Sequence, residues 1–217
     1  MPREFVTYEW FTVFIVVGLS CITIAKQLFK LRFNDFIWVF SNSKYLKIYS
    51  REQKFIDTFD SLLFSNLVIS TSIFLFFVYN EFWQELPFDL FGFLKLLLAV
   101  GLFFLIKILI ERLIGSLFDL EHLMDSYLFQ KTTFKNFTGL ILLVFNLFLL
   151  YSDVNNRLLI YFCLLLVGVS MLIGFINSYQ QNLKSINLNF FYFLLYLCAL
   201  EIGPYILLYK VLKEYNG

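Results

Sequence analysis

Apolar stretches of about twenty residues recur along this chain, and they constrain its fold more than any other feature. A hydrocarbon core about 30 Å thick is crossed by about 20 mostly apolar residues in an α-helix. We therefore predict an all-α, polytopic transmembrane helical bundle of about six spans, forming a single integral membrane domain over residues 1–217. The predicted spans are Tyr8–Ala25, Ser61–Tyr79, Pro87–Ile110, Phe134–Tyr151, Leu158–Ile176 and Leu188–Leu208.

The overall composition supports the same class of protein. Hydrophobic residues make up 60% of the 217 positions, whereas a soluble domain is about 45–50% apolar. A small soluble core does not bury that much apolar surface, because much of a small domain stays exposed. The lipid bilayer is thus the first partner that we expect. The net charge of +1 gives no basic bias of the kind that nucleic-acid binding requires, so no nucleic-acid partner is expected.

Basic residues between the predicted spans indicate an orientation. The second connection carries only Glu81 and Glu85, and the third carries Arg112 and Lys131. By the positive-inside rule, the odd-numbered connections are cytoplasmic and both termini lie on the opposite, periplasmic side. The strongest signal is the first connection, which has seven basic residues: Lys26, Lys30, Arg32, Lys44, Lys47, Arg51 and Lys54.

Amphipathic cytoplasmic helices are predicted between spans 1 and 2 and between spans 3 and 4. Aromatic and basic residues alternate between Lys26 and Asp60, which is typical of an element lying on a membrane with its Phe and Trp side chains toward lipid. Apolar residues between Glu111 and Gln130 follow helical spacing. We expect this second stretch to continue the third span into the cytoplasm.

Glu201 is the acidic residue that the last predicted span places inside the bilayer. An ionised carboxylate there costs several kcal/mol, so it is expected to face the bundle and be paired, or to be protonated. Pro204 frees the carbonyl of Leu200 and predicts a kink beside the carboxylate. The pair is interpreted either as a proton or ion site or as a charged peg that fixes helix register. From depth we predict a bridge between Lys95 and Glu201, with the alternative that Lys95 extends to the lipid headgroups.

A second intramembrane pair is predicted within the third span. Lys107 and Glu111 are i,i+4 neighbours on one helix and are expected to pair near the inner interface. Small and amide residues elsewhere predict close helix packing and interhelical hydrogen bonds. These packing residues are Asn66, Ser70, Thr71, Asn146, Gly168 and Gly174.

No motif for catalysis or cofactor binding emerges, and we expect neither a cofactor nor a catalytic residue. His122 and Asp125 stand at i,i+3, but a single histidine among carboxylates is interpreted as a solvated face, so no metal is expected. The cysteines, Cys21, Cys163 and Cys198, lie in apolar runs without motif spacing and are interpreted as buried packing residues.

The C-terminal stretch resembles a known family. Residues Tyr196–Lys210, including Glu201, Gly203 and Pro204, resemble the C-terminal signature of the domain of unknown function (DUF) family 4271. The segment from Tyr127–Gln130 through Asn136 and Gly139–Leu140 is similar to the middle of that family. The resemblance implies a small multi-pass inner-membrane protein of Gram-negative bacteria, with importance for Glu201, Pro204 and Lys210. It implies no activity.

Two function classes remain open from the sequence. The first is a non-enzymatic subunit or accessory factor of an inner-membrane complex for envelope assembly, secretion or protein insertion, with other integral membrane proteins as partners. The alternative is a small transporter or ion-coupled carrier that uses the carboxylate of Glu201. A lipid-modifying enzyme would require an acidic cluster at the interface, for which Asp119–Asp125 is the candidate, and we do not favour it.

Overall fold

The computed structural model describes residues 9–40, 44–50, 57–83, 88–117, 121–152 and 155–188. Within these ranges the chain is all-helical, as predicted, and contains no strand. The helices are α1 (Glu9–Leu28), α2 (Lys30–Ile37), α3 (Lys44–Tyr49), α4 (Thr58–Phe82), α5 (Leu90–Leu117), α6 (Glu121–Tyr151) and α7 (Asn156–Leu188).

Five of the described helices are long and apolar enough to cross a membrane. They correspond in order to the first five predicted spans. The sixth predicted span begins at the last residue of α7 and otherwise lies outside the described residues, together with Glu201 and Pro204. The candidate membrane segments are Glu9–Leu28, Thr58–Phe82, Leu90–Leu117, Asp125–Tyr151 and Asn156–Asn177.

Helices α4 and α6 form the centre of the bundle. Helix α4 packs against α1, α5 and α6, and α6 packs against α4, α5 and α7. The backbones of α4 and α6 approach closely at Gly139, where an added Cβ would lie 2.8 Å from Cα of Leu67. A small residue at such a position lets two helices come together in lipid.

The predicted packing residues behave in two ways. Asn66, Ser70 and Asn146 are buried, and Nδ2 of Asn146 donates to the backbone carbonyl of Ser70 at 2.8 Å, so the helix-contact prediction is confirmed for them. It is confirmed also for Gly174, which lies against the ring of Phe134. For Gly168 it is wrong, because no atom of the described structure lies within 4 Å of a Cβ built there.

The aromatic residues of the first connection turn toward the protein. Phe36 is wholly buried, and its ring lies 5.9 Å from that of Phe59 and 5.8 Å from that of Phe137. Phe33 is also buried. The prediction that these rings face lipid is therefore wrong, because edge-to-face packing between helices accommodates them instead. Trp38, by contrast, is exposed.

The predicted amphipathic stretch at residues 111–130 is divided between two helices. Helix α5 ends at Leu117, and α6 runs without interruption from Glu121 to Tyr151. The second half thus extends the fourth span and not the third, which corrects the prediction. Its apolar side is held by protein contacts, since the ring of Phe129 stacks on Tyr45 of α3 at 5.7 Å.

The long helices start or stop at about the same height at one end of the bundle, which we call the level end. At the other end some helices extend further than others, and we call it the extended end. At the level end, the Thr12 and Tyr151 hydroxyls are 2.6 Å apart, and Nε of Arg157 donates to Glu81 at 2.8 Å. Helices α5, α6 and α7 have 28, 31 and 33 residues, or about 42 to 50 Å at 1.5 Å per residue. The part of their length that exceeds a 30 Å hydrocarbon core therefore lies at the opposite end, where α2 and α3 pack.

Candidate functional site

Helix α5 has a charged inner side and an apolar outer side. Lys107 and Glu111, one turn apart, are 5% and 1% exposed. The leucines around them, such as Leu105 and Leu109, are about half exposed. In a membrane segment this arrangement turns apolar side chains toward lipid and ionisable ones toward the protein interior, which makes such residues candidates for function.

Glu111 forms an ion pair with the neighbouring helix. Nζ of Lys131, on α6, donates to Oε1 of Glu111 at 2.7 Å, and the two side chains are 11% and 1% exposed. The predicted pairing of Glu111 with Lys107 on the same helix stays a prediction. The antiparallel neighbour α6 places the ammonium group of Lys131 directly opposite the carboxylate.

Two more lysines, Lys107 and Lys135, lie at the same interface. Lys135 is 7% exposed, and its Nζ lies 5.8 Å from the ring centroid of Phe104 on α5. We define the charged seam as Lys107, Glu111, Lys131 and Lys135. It concentrates three lysines and one carboxylate between α5 and α6, so that this part of the interior is strongly polar.

A weaker ion pair closes the same interface at its extended end. Nε of Arg112 lies 3.7 Å from Oδ1 of Asp125, and both side chains are more than 40% exposed. An exposed pair at this distance contributes at most about 1 kcal/mol. The pair lies at the end of the α5–α6 contact and contributes little to its stability.

A second polar network fastens the first connection to α4. Arg32 pairs with Asp57 and, at 2.9 Å, with Asp60, and its guanidinium lies 4.6 Å from the ring centroid of Phe59. Its Nε also donates to the hydroxyl of Tyr45 at 3.5 Å. One arginine thus joins α2, α3 and the first turn of α4, which is a structural role.

The environment of this network keeps Tyr45 neutral and Arg32 charged. Burial raises the pKa of the Tyr45 hydroxyl, and the negative charge of Asp60 raises it further. For Arg32, burial acts to lower the pKa, but the negative charge of Asp60 and the hydrogen bonds to Tyr45 and Asp57 outweigh it, and the pKa is raised. Neither group is poised to exchange protons near neutral pH.

Comparison with known families gives a clear assignment. The sequence profile of the family Domain of unknown function (DUF4271) matches residues 11–212. The chain belongs to the DUF4271 family. This confirms the resemblance seen in the sequence. No curated protein and no solved structure gives a significant match, so no activity is carried over from a relative.

The other predicted site residues of this DUF4271 protein are Lys95, Glu201 and Pro204. Lys95 is exposed near the start of α5. Its pairing with Glu201 stays a prediction, since Glu201 and Pro204 lie outside the described residues. Asp125 pairs with Arg112, as above, and the side chain of His122 is outside the described part of the structure. Sequence reasoning treated Lys131 and Lys135 as orientation signals and missed them as site residues, although their i,i+4 spacing at the start of an apolar run was the available sign.

Amide side chains give the DUF4271 bundle a second polar interior beside α4. Asn136 is fully buried, and within the described structure neither atom of its amide has a hydrogen-bond partner. The same holds for Nδ2 of Asn66 and Oδ1 of Asn146. Buried polar groups are normally satisfied by protein or ordered water, so these amides mark positions where the core accepts polar contacts.

Proposed function

We propose that this DUF4271 protein is a non-enzymatic subunit or accessory factor of a bacterial inner-membrane complex for envelope assembly, secretion or protein insertion. In this proposal the five apolar helices and the last apolar stretch cross the bilayer, and both termini lie in the periplasm. Other integral membrane proteins are its partners. The proposal is supported by the charge distribution and by the extended end of the bundle.

The charge distribution supports the orientation. The end of the bundle where α1 meets α2 carries Lys26 and Lys30, and Arg112 lies at the same end on α5. The level end carries Glu9 and Glu81, with the basic Arg157 paired to Glu81. Basic residues near span ends favour the cytoplasmic side, so the extended end is assigned to the cytoplasm.

The observation that carries the proposal is the extended end itself. The last turns of α5, with the corresponding ends of α6 and α7, exceed a hydrocarbon core by about 12 to 20 Å. Leu113 and Leu117 lie in this part of α5 and are 61% and 71% exposed. Large apolar side chains that are exposed beyond the lipid indicate a protein-binding surface. A subunit typically binds its partner through an exposed apolar surface of this kind.

The test is purification of the tagged protein at native expression in a mild detergent, with identification of what stays bound. A Leu113→Ala/Leu117→Ala variant is expected to lose a stoichiometric membrane partner while keeping its thermal stability. The matched control is Leu98→Ala/Leu102→Ala, which removes similarly exposed leucines from the middle of α5 and is expected to retain the partner. Recovery of the wild-type chain alone, as a monomer or homo-oligomer, would contradict the proposal.

One observation favours the alternative of a small ion-coupled carrier. The carboxylate of Glu111 is 1% exposed, and its Oε2 has no hydrogen-bond partner among the described residues. A buried carboxylate with an available oxygen is suited to bind a proton or a cation. In proteoliposomes with an internal pH-sensitive dye, a carrier would give a proton flux that Glu111→Gln and Glu201→Gln abolish. A scaffold would give none in any variant.

A further inference from the structure

Helix α2 and its C-cap residue, Trp38, present two large apolar side chains away from the bundle. Leu31 and Trp38 are 80% and 64% exposed. They are seven residues apart and therefore lie on nearly the same side of a helix of 3.6 residues per turn. Phe33 and Phe36, on the other side, are buried. The inner side of α2 is therefore packed against protein, while the outer side carries Leu31 near its start, the exposed amide of Asn34, and Trp38 at its end.

The ring contacts show that α2 runs across the end of the bundle. The helical backbone is interrupted at Phe29, with φ −129° and ψ 51°. The rings of Phe29 and Phe36 lie 5.8 and 5.9 Å from the ring of Phe59, in the first turn of α4. If α2 continued along the axis of α1, Phe36 would lie about 10 Å beyond Phe29. Phe36 instead also contacts Phe137, which lies within the candidate membrane segment of α6.

The tryptophans define two levels separated by the thickness of a bilayer core. Trp10 and Trp83, 46% and 66% exposed, lie at the level end of α1 and α4. Trp38 lies at the other end. From Trp10 to the last residue of α1, Leu28, the helix rises about 27 Å, close to the 30 Å of hydrocarbon. Tryptophan prefers the membrane–water interface, and α2 lies at one of the two levels where that interface is expected.

The charges around this surface fit an anionic leaflet. Lys26 and Lys30 are exposed beside Leu31. Basic residues at this depth are attracted by anionic headgroups. We propose that α2 is an interfacial helix whose Leu31 and Trp38 insert at the boundary between acyl chains and headgroups, while Lys26 and Lys30 bind the phosphates of anionic phospholipids. This inference rests on the bilayer crossing stated under the proposed function, but not on the role as a subunit.

Depth-dependent fluorescence quenching tests the insertion. Variants that keep a single tryptophan, with the other two changed to phenylalanine, are placed in nanodiscs containing phosphatidylcholine brominated near the headgroup end of its acyl chains. Trp38 is expected to be quenched as strongly as Trp10. A Leu31→Trp variant lacking the three native tryptophans reports on the same side of α2 and is expected to behave alike.

The outcomes separate two failures. If Trp10 is quenched but neither Trp38 nor the tryptophan at position 31 is, α2 faces water or protein and the inference is wrong. If no position is quenched, the bilayer crossing itself is wrong, and with it the proposed function.

Lipid composition tests the charged part of the surface. Raising the phosphatidylglycerol fraction of the nanodisc is expected to increase the quenching of Trp38 in the variant that keeps Trp38 as its single tryptophan. The increase is not expected when Lys26→Gln/Lys30→Gln is added to that variant. The control is Lys95→Gln, which neutralises an exposed lysine near the opposite end of α5 and is expected to leave the response unchanged. A response that persists in the Lys26→Gln/Lys30→Gln variant would overturn the assignment of these lysines to headgroups.

Discussion

Gly139 gives the sharpest prediction about what holds the bundle together. A Cβ at this position would lie 2.8 Å from Cα of Leu67, which is backbone, and 3.1 Å from its Cβ. To reach the 3.4 Å at which ordinary contact begins, the α4 backbone must retreat by about 0.6 Å. A backbone cannot rotate away as a side chain does, so Gly139→Ala separates the two central helices. Overpacking of this kind costs about 1–3 kcal/mol.

Gly168 is a matched control for this change. It is also a glycine inside a long apolar helix, but no described atom lies within 4 Å of its added Cβ. Replacing a helical glycine by alanine gains up to about 1 kcal/mol of helix propensity. This gain is common to both variants, and the difference between them isolates the clash. Gly168→Ala is therefore expected to be neutral or stabilising, and Gly139→Ala to be less stable than it by about 1–3 kcal/mol.

The measurement is thermal unfolding of the purified variants in one detergent, followed by fluorescence-detected size exclusion. For a chain of this size, 1 kcal/mol corresponds to about 2–4 °C. Equal melting temperatures for Gly139→Ala and Gly168→Ala would refute the close approach of α4 and α6 at Gly139.

Three further predictions concern polar contacts. Glu111→Gln alone is expected to cost about 3 kcal/mol of stability, because it leaves the buried charge of Lys131 without its carboxylate. The double variant Glu111→Gln/Lys131→Met should recover much of that loss in the same thermal assay. An additive loss in the double variant would contradict the pairing. Asn146→Leu removes the hydrogen bond to the Ser70 carbonyl and is expected to cost about 1 kcal/mol; no measurable change would mean that the bond is compensated. Arg32→Lys retains the charge but not the fork that joins two carboxylates, so faster protease cleavage between α2 and α4 is expected, and wild-type cleavage rates would count against that role.

The helical part of the fold was predictable because its cause is local. Lipid requires each span to satisfy its own backbone hydrogen bonds, so a run of apolar residues is sufficient to indicate a helix. Residues 61–79 and 158–176 each lie inside an observed helix. The ends were less predictable, since α6 begins thirteen residues before the predicted start at Phe134. Within this early part of α6, Phe129 stacks on Tyr45 of α3, and such a contact between distant parts of the chain is not visible in the sequence.

The partners of charged residues were not predictable for a related reason. Lys107 and Glu111 have a favourable i,i+4 spacing, yet the carboxylate pairs with Lys131, twenty residues away. Spacing along one helix is visible in the sequence, whereas the register between two antiparallel helices is not. Phe36 shows the same limit, because a ring beside basic residues suits lipid as well as a protein interior until the neighbouring helices are known.

The charged seam makes α5 the helix whose attachment depends most on electrostatics. Among the residues of α5 with described side chains, only Phe93, Lys107, Glu111 and Gly115 are buried, so α5 places few fully buried apolar side chains in the bundle core. Helices α4 and α6, by contrast, are joined by close backbone packing at Gly139. Neutralising Glu111 should therefore loosen α5 while the α4–α6 core stays intact. Both functional proposals meet at this point, since a partner bound at the end of α5 and a cation bound at Glu111 would each act on the position of the same helix.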